Sequence, residues 1–390
     1  MSLKSQAEDP INNKTFKSII FLFLTITLSI PLFIGIQKGY TKLAYKTKLE
    51  EKLSQDKILT FFINGFDEHN LNLSVFIFLQ PIQKKCGMFF INPISTFEDK
   101  KIENMGKEAL PFMIPKIEAI TGLKINFYIN MNDSTTIEVI DLFEGLPFYL
   151  DTFSAYPSDN YKRNSGLFTF SGEELNDYIN FIKRDDPLSY VNRINIQQSL
   201  ALSFYDRIKE KTEIRKEWFE VLNKKMDTNL NGQDLYSLYS YIKNNHIIFS
   251  ISEMPGELIL DSDKKIIKLL IHDENANFGF SKLASYLSSG DYNIGDLART
   301  EVLNSTEKNG LAKSVKSILN ENSIKVLSVG NGWNTKENKT IIIDRSGSTE
   351  YSYKIARLLG IKNIHHLINK EIGLDTTVLL GEDFEIKSGK

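Results

Sequence analysis

The chain has 390 residues, 42% of them hydrophobic and 25% charged, which excludes disordered and collagen-like proteins and is enough for more than one core. The formal net charge of -2 provides no basic field for phosphate backbones, so we predict no nucleic-acid partner. A single cysteine, Cys86, excludes an internal disulfide and a CxxC metal motif.

The first element in chain order is an apolar segment that predicts a membrane anchor. No charged residue occurs from Ser18 to Ile36, close to the roughly 20 residues that cross the hydrocarbon of a bilayer. A cleaved signal peptide is the alternative, but no small-x-small site follows and the run is longer than an h-region of about 7–15 residues. Lysines flank both sides, so the positive-inside rule does not decide the orientation. We expect a single-pass protein of the cell membrane with residues 1–17 in the cytoplasm and the bulk of the chain outside it.

Residues 37–57 are rich in Lys and Glu and predict a helical stalk. Strands and helices then alternate over residues 58–280, which predicts an α/β domain. The runs that predict strands are ILTFFING, VFIFL, CGMFFI and INFYINM. Those that predict helices are ALPFMIPKIEAITG, DSTTIEVIDLFEG, SGEELNDYINFIK and VNRINIQQSLALSFYDRIKEK.

Helix boundaries follow from residue types at their ends. Gly122 is a predicted C-cap, Asp133 or Ser134 a predicted N-cap, and Ser171 with Glu174 a predicted capping box. The stretch from Asp227 to Gly232 copies half of an EF-hand loop, but its twelfth position is Leu238 instead of Glu, so we expect a helix-entry turn.

A polar connection is predicted over residues 281–298, followed by a second domain over residues 299–385. Its predicted strands are TEVLN, IKVLSVG, TIIID, IHHLI and TTVLLG, and its predicted helices are GLAKSVKSILNEN and TEYSYKIARLLG. This order indicates a small two-layer α/β domain without a catalytic cluster. We interpret His365 and His366 as ordinary strand alternation, because no ligand-type residue lies at metal-binding spacing.

Two groups of residues carry a resemblance to known families. The order INGFDE, VFIFL, FINPIST, IEAITGLKINFYINMN, VIDLFEGLPF, FSGEELNDYINF, VNRINIQQ and MDTNLNGQDLYSL resembles the LytR-CpsA-Psr (LCP) envelope domain. Residues 299–383 resemble the LytR C-terminal domain, and together the two matches span about residues 57 to 385. The resemblance implies a three-layer α/β/α domain outside the membrane. It also implies an apolar tunnel for a polyprenyl-pyrophosphate lipid, whose glycan is transferred to peptidoglycan.

Such a transfer needs Arg side chains for the pyrophosphate oxygens and Asp ligands for Mg²⁺, and most of these are replaced here. The Arg and Asp of the family's IPRDT element become Ile94 and Ser95, and its RSDT element is matched by the uncharged run from Leu71 to Ser74. An Arg expected after the GxD motif is His69 or Asn70. Several charged hydrogen bonds, each contributing about 1.5–3 kcal/mol, are therefore missing.

The residues that remain are the candidate site. By the resemblance, Asp67 is the candidate metal ligand, and Asp67 and Arg193 are the catalytic candidates. The candidates for pyrophosphate or lipid binding are Lys183, Arg184, Arg193 and Gln197. Structural roles are the alternative: Arg193 pairing within the fold, Asp67 closing a turn, and Gln197 on a solvated helix face.

Two functions follow from these residues. The prediction is a membrane-anchored LCP-type envelope protein, non-catalytic or strongly diverged, that binds envelope lipid, glycan or protein. The alternative is a phosphotransferase that moves a glycan from a polyprenyl-pyrophosphate lipid to peptidoglycan with Mg²⁺ as cofactor.

Overall fold

The structure is a computed structural model that describes residues 46–68, 70–150, 166–180, 187–211, 213–260, 266–288, 298–333 and 336–386. The predicted anchor over residues 18–36 lies outside these ranges. Within them, no helix is both long enough and apolar enough to cross a bilayer. The chain divides into two compact units, Met1–Glu51 and Lys52–Lys390. A short helix, α1 (Lys48–Leu53), lies at the division, within the predicted stalk.

The second unit begins with a mixed α/β region. Its strands are β1 (Leu59–Phe66), β2 (Leu71–Gln80), β3 (Lys85–Phe90), β4 (Ser95–Phe97), β5 (Lys100–Lys101), β6 (Phe127–Asn132), β7 (Leu146–Leu150), β8 (Gly166–Phe170), β9 (Asp227–Thr228), β10 (Ile248–Glu253), β11 (Glu257–Leu260) and β12 (Ile266–Leu270). Its helices are α2 (Ala109–Thr121), α3 (Asp133–Leu142), α4 (Gly172–Asn180), α5 (Pro187–Glu210), α6 (Lys216–Asn223), α7 (Gly232–Asn244) and α8 (Asp273–Ser288). A 3₁₀ helix, Glu103–Glu108, precedes α2.

A six-stranded sheet in the order β10-β3-β2-β1-β6-β9 forms the centre of this region. Strands β1 and β6 are parallel neighbours, as are β3 and β10, whereas β2 is antiparallel to both β1 and β3. A second sheet has the order β11-β12-β4-β5, and β7 pairs with β8 in a separate two-stranded ribbon. The predicted alternation of strands and helices is therefore confirmed as a mixed α/β fold.

Helices α2 and α8 cover one face of the six-stranded sheet. Their buried apolar side chains form one cluster with those of β1, β2 and β3. Phe280 of α8 lies at its centre, with ring centroids 5.0 Å from Phe78, 6.0 Å from Phe76 and 6.2 Å from Phe89. Aromatic side chains from three positions on the sheet thus pack around one ring of the helix.

Helix α5 lies on the other face. Ile248 of β10 packs against the α2/α8 cluster, and since side chains alternate along a strand, the next residue, Phe249, faces the opposite way. There Tyr205 of α5 meets Phe249 edge to face, with centroids 4.7 Å apart. The sheet therefore carries helices on both of its faces.

The helix ends test the cap predictions. Gly122 has a φ of 68° after α2, and Ser171 and Glu174 exchange capping-box hydrogen bonds of 2.9 Å and 3.3 Å, so both predictions are confirmed. The N-cap of α3 is Asn132, whose side chain accepts from Thr135 N, and the prediction of Asp133 or Ser134 was wrong. The half EF-hand is a helix-entry turn, with Asn231 and Asp234 forming the capping box of α7.

The C-terminal residues form a five-stranded sheet in the order β14-β13-β17-β15-β16. Its elements are β13 (Thr300–Asn304), α9 (Leu311–Glu321), β14 (Val326–Asn331), β15 (Ile341–Asp344), α10 (Thr349–Leu359), β16 (Ile364–His366), the 3₁₀ helix Lys370–Ile372 and β17 (Thr376–Leu380). Helices α9 and α10 pack on one face, as the apolar spacing predicts. Helix α8 extends to Ser288, into the predicted connection over residues 281–298.

The other face of this C-terminal sheet packs against the first region. Ile341, Ile343 and Leu379 belong to the same buried cluster as residues of α3, α4, α5 and the β7–β8 ribbon. In the first region this cluster includes Phe148, Tyr149, Phe170, Tyr178 and Leu200. We call this shared cluster the interdomain core. Because of it, the second face of the C-terminal sheet is covered at β15 and β17, whereas edge strand β14 is largely exposed, with Leu327 at 46%.

Candidate functional site

The candidate residues meet at one edge of the six-stranded sheet. Strands β1 and β6 run parallel, with Phe66 opposite Asn132, so the residues that follow them emerge at the same edge. Asp67 follows β1, and Asp133 follows β6 at the start of α3. Asn72 lies near the start of β2, the other neighbour of β1. Polar ends of three adjacent strands therefore lie close together.

Asp67 closes the turn between β1 and β2. Its Oδ1 accepts hydrogen bonds from Asn70 N at 2.7 Å and Asn70 Nδ2 at 3.1 Å, and its own N–H donates to Asn70 O at 2.9 Å. An Asp that bonds to the backbone a few residues on is a common way to fix a tight turn. The contacts of Asp67 with Asn70 therefore match the alternative role given above, in which Asp67 closes a turn.

Arg193 and Gln197 lie one helical turn apart on α5, so their side chains share a face of the helix. Both are buried, with 4% and 6% of their surface exposed. Arg193 Nη2 donates to Asn72 Oδ1 at 3.0 Å, and Gln197 Nε2 donates to the Asn72 carbonyl at 2.7 Å. Asn72 Nδ2 in turn donates to Asp133 Oδ1 at 3.2 Å. One asparagine thus connects α5 to the start of α3, and Gln197 is not on a solvated face.

The structure brings two candidates together and adds two residues that sequence reasoning missed as site residues. Arg193 and Gln197 converge on Asn72 and, through it, on Asp133. A polar Asn between two leucines in a buried strand was the available signal, because a buried amide needs partners. Lys183 and Arg184 lie outside the described residues.

The charges of this edge differ from those a pyrophosphate site needs. Among the described residues, the hydrogen-bonded group around Asn72 has one guanidinium and one carboxylate, Arg193 and Asp133. These two opposite charges balance each other within the described group, and the other cationic candidates, Lys183 and Arg184, lie outside the described residues.

Asp67, the predicted Mg²⁺ ligand, lies at this edge of the sheet. Within the described ranges, no group of three or more His, Cys, Asp or Glu side chains could hold a metal ion. The proposed ligand, Asp67, has both carboxylate oxygens in reach of Asn70 Nδ2, at 3.1 Å and 3.3 Å. Asp67 is thus engaged within its own turn, and the described residues around it form no cluster of three protein ligands.

We expect Asp67→Ala to lower the free energy of unfolding by about 1 kcal/mol, because the turn loses its side-chain acceptor. Urea unfolding followed by circular dichroism measures this change. We also expect 10 mM Mg²⁺ to leave the Tm of the wild type unchanged, since a ligand stabilises only the state that it binds. A rise in Tm with Mg²⁺ that Asp67→Ala abolishes would instead identify Asp67 as a metal ligand.

His365 and His366 depart from the simple alternation that the sequence indicated. His366 has 1% of its surface exposed and lies between two carboxylates, with Nδ1 2.9 Å from Asp344 Oδ2 and Nε2 3.0 Å from Asp206 Oδ2. His365 stacks on Tyr149 with centroids 5.5 Å apart. Neither carboxylate is near His366 in sequence, which is why spacing could not reveal them.

Two family descriptions match consecutive parts of the chain. Residues 98–277 match the LytR_cpsA_psr family. Residues 298–384 match LytR_C, described as a LytR cell envelope-related transcriptional attenuator. A comparison with curated protein sequences found no match.

Several solved structures are distantly similar. TagV of Bacillus subtilis has 15% identity, covering 61% of this chain and 100% of its own, with a TM-score of 0.44. TagT of B. subtilis has 14% identity, with 60% and 91% covered and a TM-score of 0.45. A transcriptional regulator from Enterococcus faecalis has 12% identity, with 63% and 92% covered and a TM-score of 0.48. These likenesses are remote, and the family assignment rests on the two sequence matches.

Proposed function

Because this chain belongs to the LytR-CpsA-Psr family and carries a LytR C-terminal domain, we propose that it is a membrane-anchored envelope protein that binds an envelope partner without catalysing glycan transfer. The partner is a polyprenyl-phosphate lipid, an envelope glycan such as peptidoglycan, or an envelope protein. In this proposal residues 18–36 are the membrane anchor. The chain from residue 37 on lies outside the cytoplasm.

One observation carries the non-catalytic part of this proposal. The guanidinium of Arg193 is buried and donates to the side chain of Asn72, and Gln197 donates to the Asn72 carbonyl. The bond to Asn72 uses Nη2, one of the five N–H donors of a guanidinium, and holds Arg193 inside the fold at the start of β2. A charged hydrogen bond of this kind contributes about 1.5–3 kcal/mol. The retained Arg and Gln thus support the fold.

The domain architecture is also part of the proposal. We infer a three-layer α/β/α arrangement for residues 58–280, supported by helices α2 and α8 on one sheet face and Tyr205 of α5 on the other. The residues from 299 to 385 form a two-layer domain whose second sheet face packs on the interdomain core. In this proposal the chain keeps an LCP-type scaffold, whereas most of the charged residues that the family pattern places in the site are replaced.

A transfer assay tests the proposal. The purified full chain is incubated in detergent with a polyprenyl-pyrophosphate glycan, Mg²⁺ and peptidoglycan, and glycan bound to peptidoglycan is measured. We expect no transfer above the background without protein, with an active LCP transferase as the positive control. Product that forms with the wild type and is abolished by Arg193→Ala would establish the phosphotransferase instead.

The membrane topology has its own test. The only native cysteine, Cys86, is 4% exposed, and burial raises the pKa of its thiol, so it reacts slowly with maleimides. A cysteine introduced at Lys216, on exposed α6, is therefore expected to be the main labelled site. We expect a membrane-impermeant maleimide to label Lys216→Cys in intact cells, and labelling only after lysis would contradict the proposed topology.

A further inference from the structure

His366 joins the two domains through a pair of carboxylates. Asp344 belongs to β15 of the C-terminal domain and is fully buried, whereas Asp206 belongs to α5 of the first domain and its side chain is 33% exposed. Each ring nitrogen of His366 lies within 3.0 Å of one carboxylate. A ring that donates from both nitrogens must be protonated. The contact between α5 and β16 is therefore a charged hydrogen bond between domains.

Other titratable groups surround this contact. They are His365 on β16 itself, Tyr353 on α10, Lys370 in the 3₁₀ helix after β16, and Tyr149 on β7. Burial, followed by the charge of His366, lowers the pKa of His365 to about 4, so His365 is neutral above that pH. Burial, followed by the charge of Asp206, raises the pKa of Tyr353. Burial lowers the pKa of Lys370, which lies 3.5 Å from Glu253 of β10.

Neutral hydrogen bonds fix the same interface in register. Ile368 N donates to Ser199 Oγ of α5 at 2.8 Å, and Phe249 N of β10 donates to Thr349 Oγ1 of α10 at 2.9 Å. Neither bond depends on the protonation of a side chain. Two further contacts of this interface involve ionisable groups, namely Asn195 of α5 donating to Glu371 at 2.9 Å and Lys370 at 3.5 Å from Glu253. Among the described contacts of α5 with β16 itself, the pair of His366 with Asp206 is the one whose strength changes with protonation.

We propose that His366 is a proton-dependent latch that holds the C-terminal domain against helix α5. Docking favours the protonated imidazolium, because Asp206 completes its second hydrogen bond. Separation removes Asp206 and leaves Asp344 as the remaining carboxylate. The latch therefore takes up protons when the domains dock, and it does not depend on the proposed envelope partner.

The sign of the pH dependence follows from the pKa. Burial opposes the charged ring, but Asp206 and Asp344 outweigh it and raise the pKa of His366 from 6.5 to about 10. A group whose pKa is raised in the docked state contributes fully below its undocked pKa. The contribution is lost as the pH rises toward 10. Between the undocked pKa of His366 and about pH 10, the equilibrium constant for docking should fall by at most tenfold per pH unit.

The chain has two tryptophans, one in each domain, and Trp333 packs against the interdomain core. Trp218 lies on α6 of the first domain, and Trp333 follows β14 of the C-terminal domain. The Trp333→Phe and Trp218→Phe variants of the full chain in detergent therefore give one fluorescent reporter each. Urea midpoints of the two reporters are compared from pH 6 to pH 9.5. We expect the midpoints to coincide at pH 6 and to separate progressively above pH 7.

Three substitutions, made in both reporter backgrounds, test the assignment. His366→Gln should give midpoints whose separation no longer changes with pH, and Asp206→Asn, on the partly exposed side of the contact, should reduce the change. His272→Gln is the matched control, because His272 pairs with Glu257 on the surface at 3.3 Å and should behave like the wild type. If the wild-type separation is constant with pH, or if His366→Gln retains the wild-type pH profile, the latch is ruled out.

A direct titration covers the case in which His366→Gln fails to fold. The wild type, labelled with ¹⁵N-histidine, has five histidines whose resonances are followed by NMR. We expect one of them to remain protonated until about pH 10. Five histidines that all titrate at or below about pH 7 would overturn the proposal.

Discussion

The substitution Phe280→Ala is expected to lower the free energy of unfolding by about 3–5 kcal/mol. Phe280 has 5% of its surface exposed, and its ring lies within 6.2 Å of three phenylalanine rings on β2 and β3. Removing it loses the transfer free energy of a large apolar side chain and leaves a cavity between α8 and the sheet. Urea unfolding followed by far-UV circular dichroism measures the change.

Phe278 is a matched control on the same helix. It lies two residues away with 62% of its surface exposed, and its ring contacts Lys282, whose Nζ is 4.5 Å from the centroid. Phe278→Ala should change the free energy of unfolding by less than about 1 kcal/mol, because it opens no cavity. Equal losses for the two variants would show that α8 does not pack on the sheet as described.

The second large effect is expected at Asn72. Asn72→Leu removes the Oδ1 acceptor of Arg193 and the Nδ2 donor of Asp133, leaving a buried guanidinium with one partner fewer. We expect a loss of about 3 kcal/mol in the free energy of unfolding, because unsatisfied buried groups keep their full desolvation cost. The hydrogen bond from Gln197 goes to the backbone of Asn72 and is unaffected.

A double-mutant cycle separates this explanation from simple overpacking by Leu. Adding Arg193→Met removes the charge that Asn72→Leu leaves buried, so the double variant should be more stable than Asn72→Leu alone. The measured quantity is the coupling free energy from urea midpoints of the four proteins. If the losses in free energy of unfolding of the two single variants sum to the loss of the double variant, Asn72 and Arg193 do not interact.

Local signals in the sequence predicted much of the fold. Gly122 and the Ser171–Glu174 pair mark helix ends because each satisfies backbone groups within its own turn. The cap of α3 was harder, since Asn132, Asp133 and Ser134 are all good N-caps and only the direction of the chain leaving β6 selects Asn132.

The candidate site could be predicted only in part, because its contacts are distant in sequence. Asn72 is 121 residues from Arg193, and Asp206 is 160 residues from His366. Motif spacing detects neighbours on one strand or helix, whereas these pairs form only after separate elements pack. The resemblance did identify Arg193 and Gln197, but their present partners depend on an asparagine that the family pattern does not contain.

The interdomain core determines what happens to an incomplete chain. A product that stops before residue 298 would expose Tyr149, which stacks on His365, and the part of the interdomain core that Ile341, Ile343 and Leu379 complete. Exposed apolar surface of this kind promotes aggregation and recognition by proteases. Premature termination should thus remove the whole protein instead of releasing a functional first domain. Nonsense mutations late in the gene would then have the phenotype of a deletion.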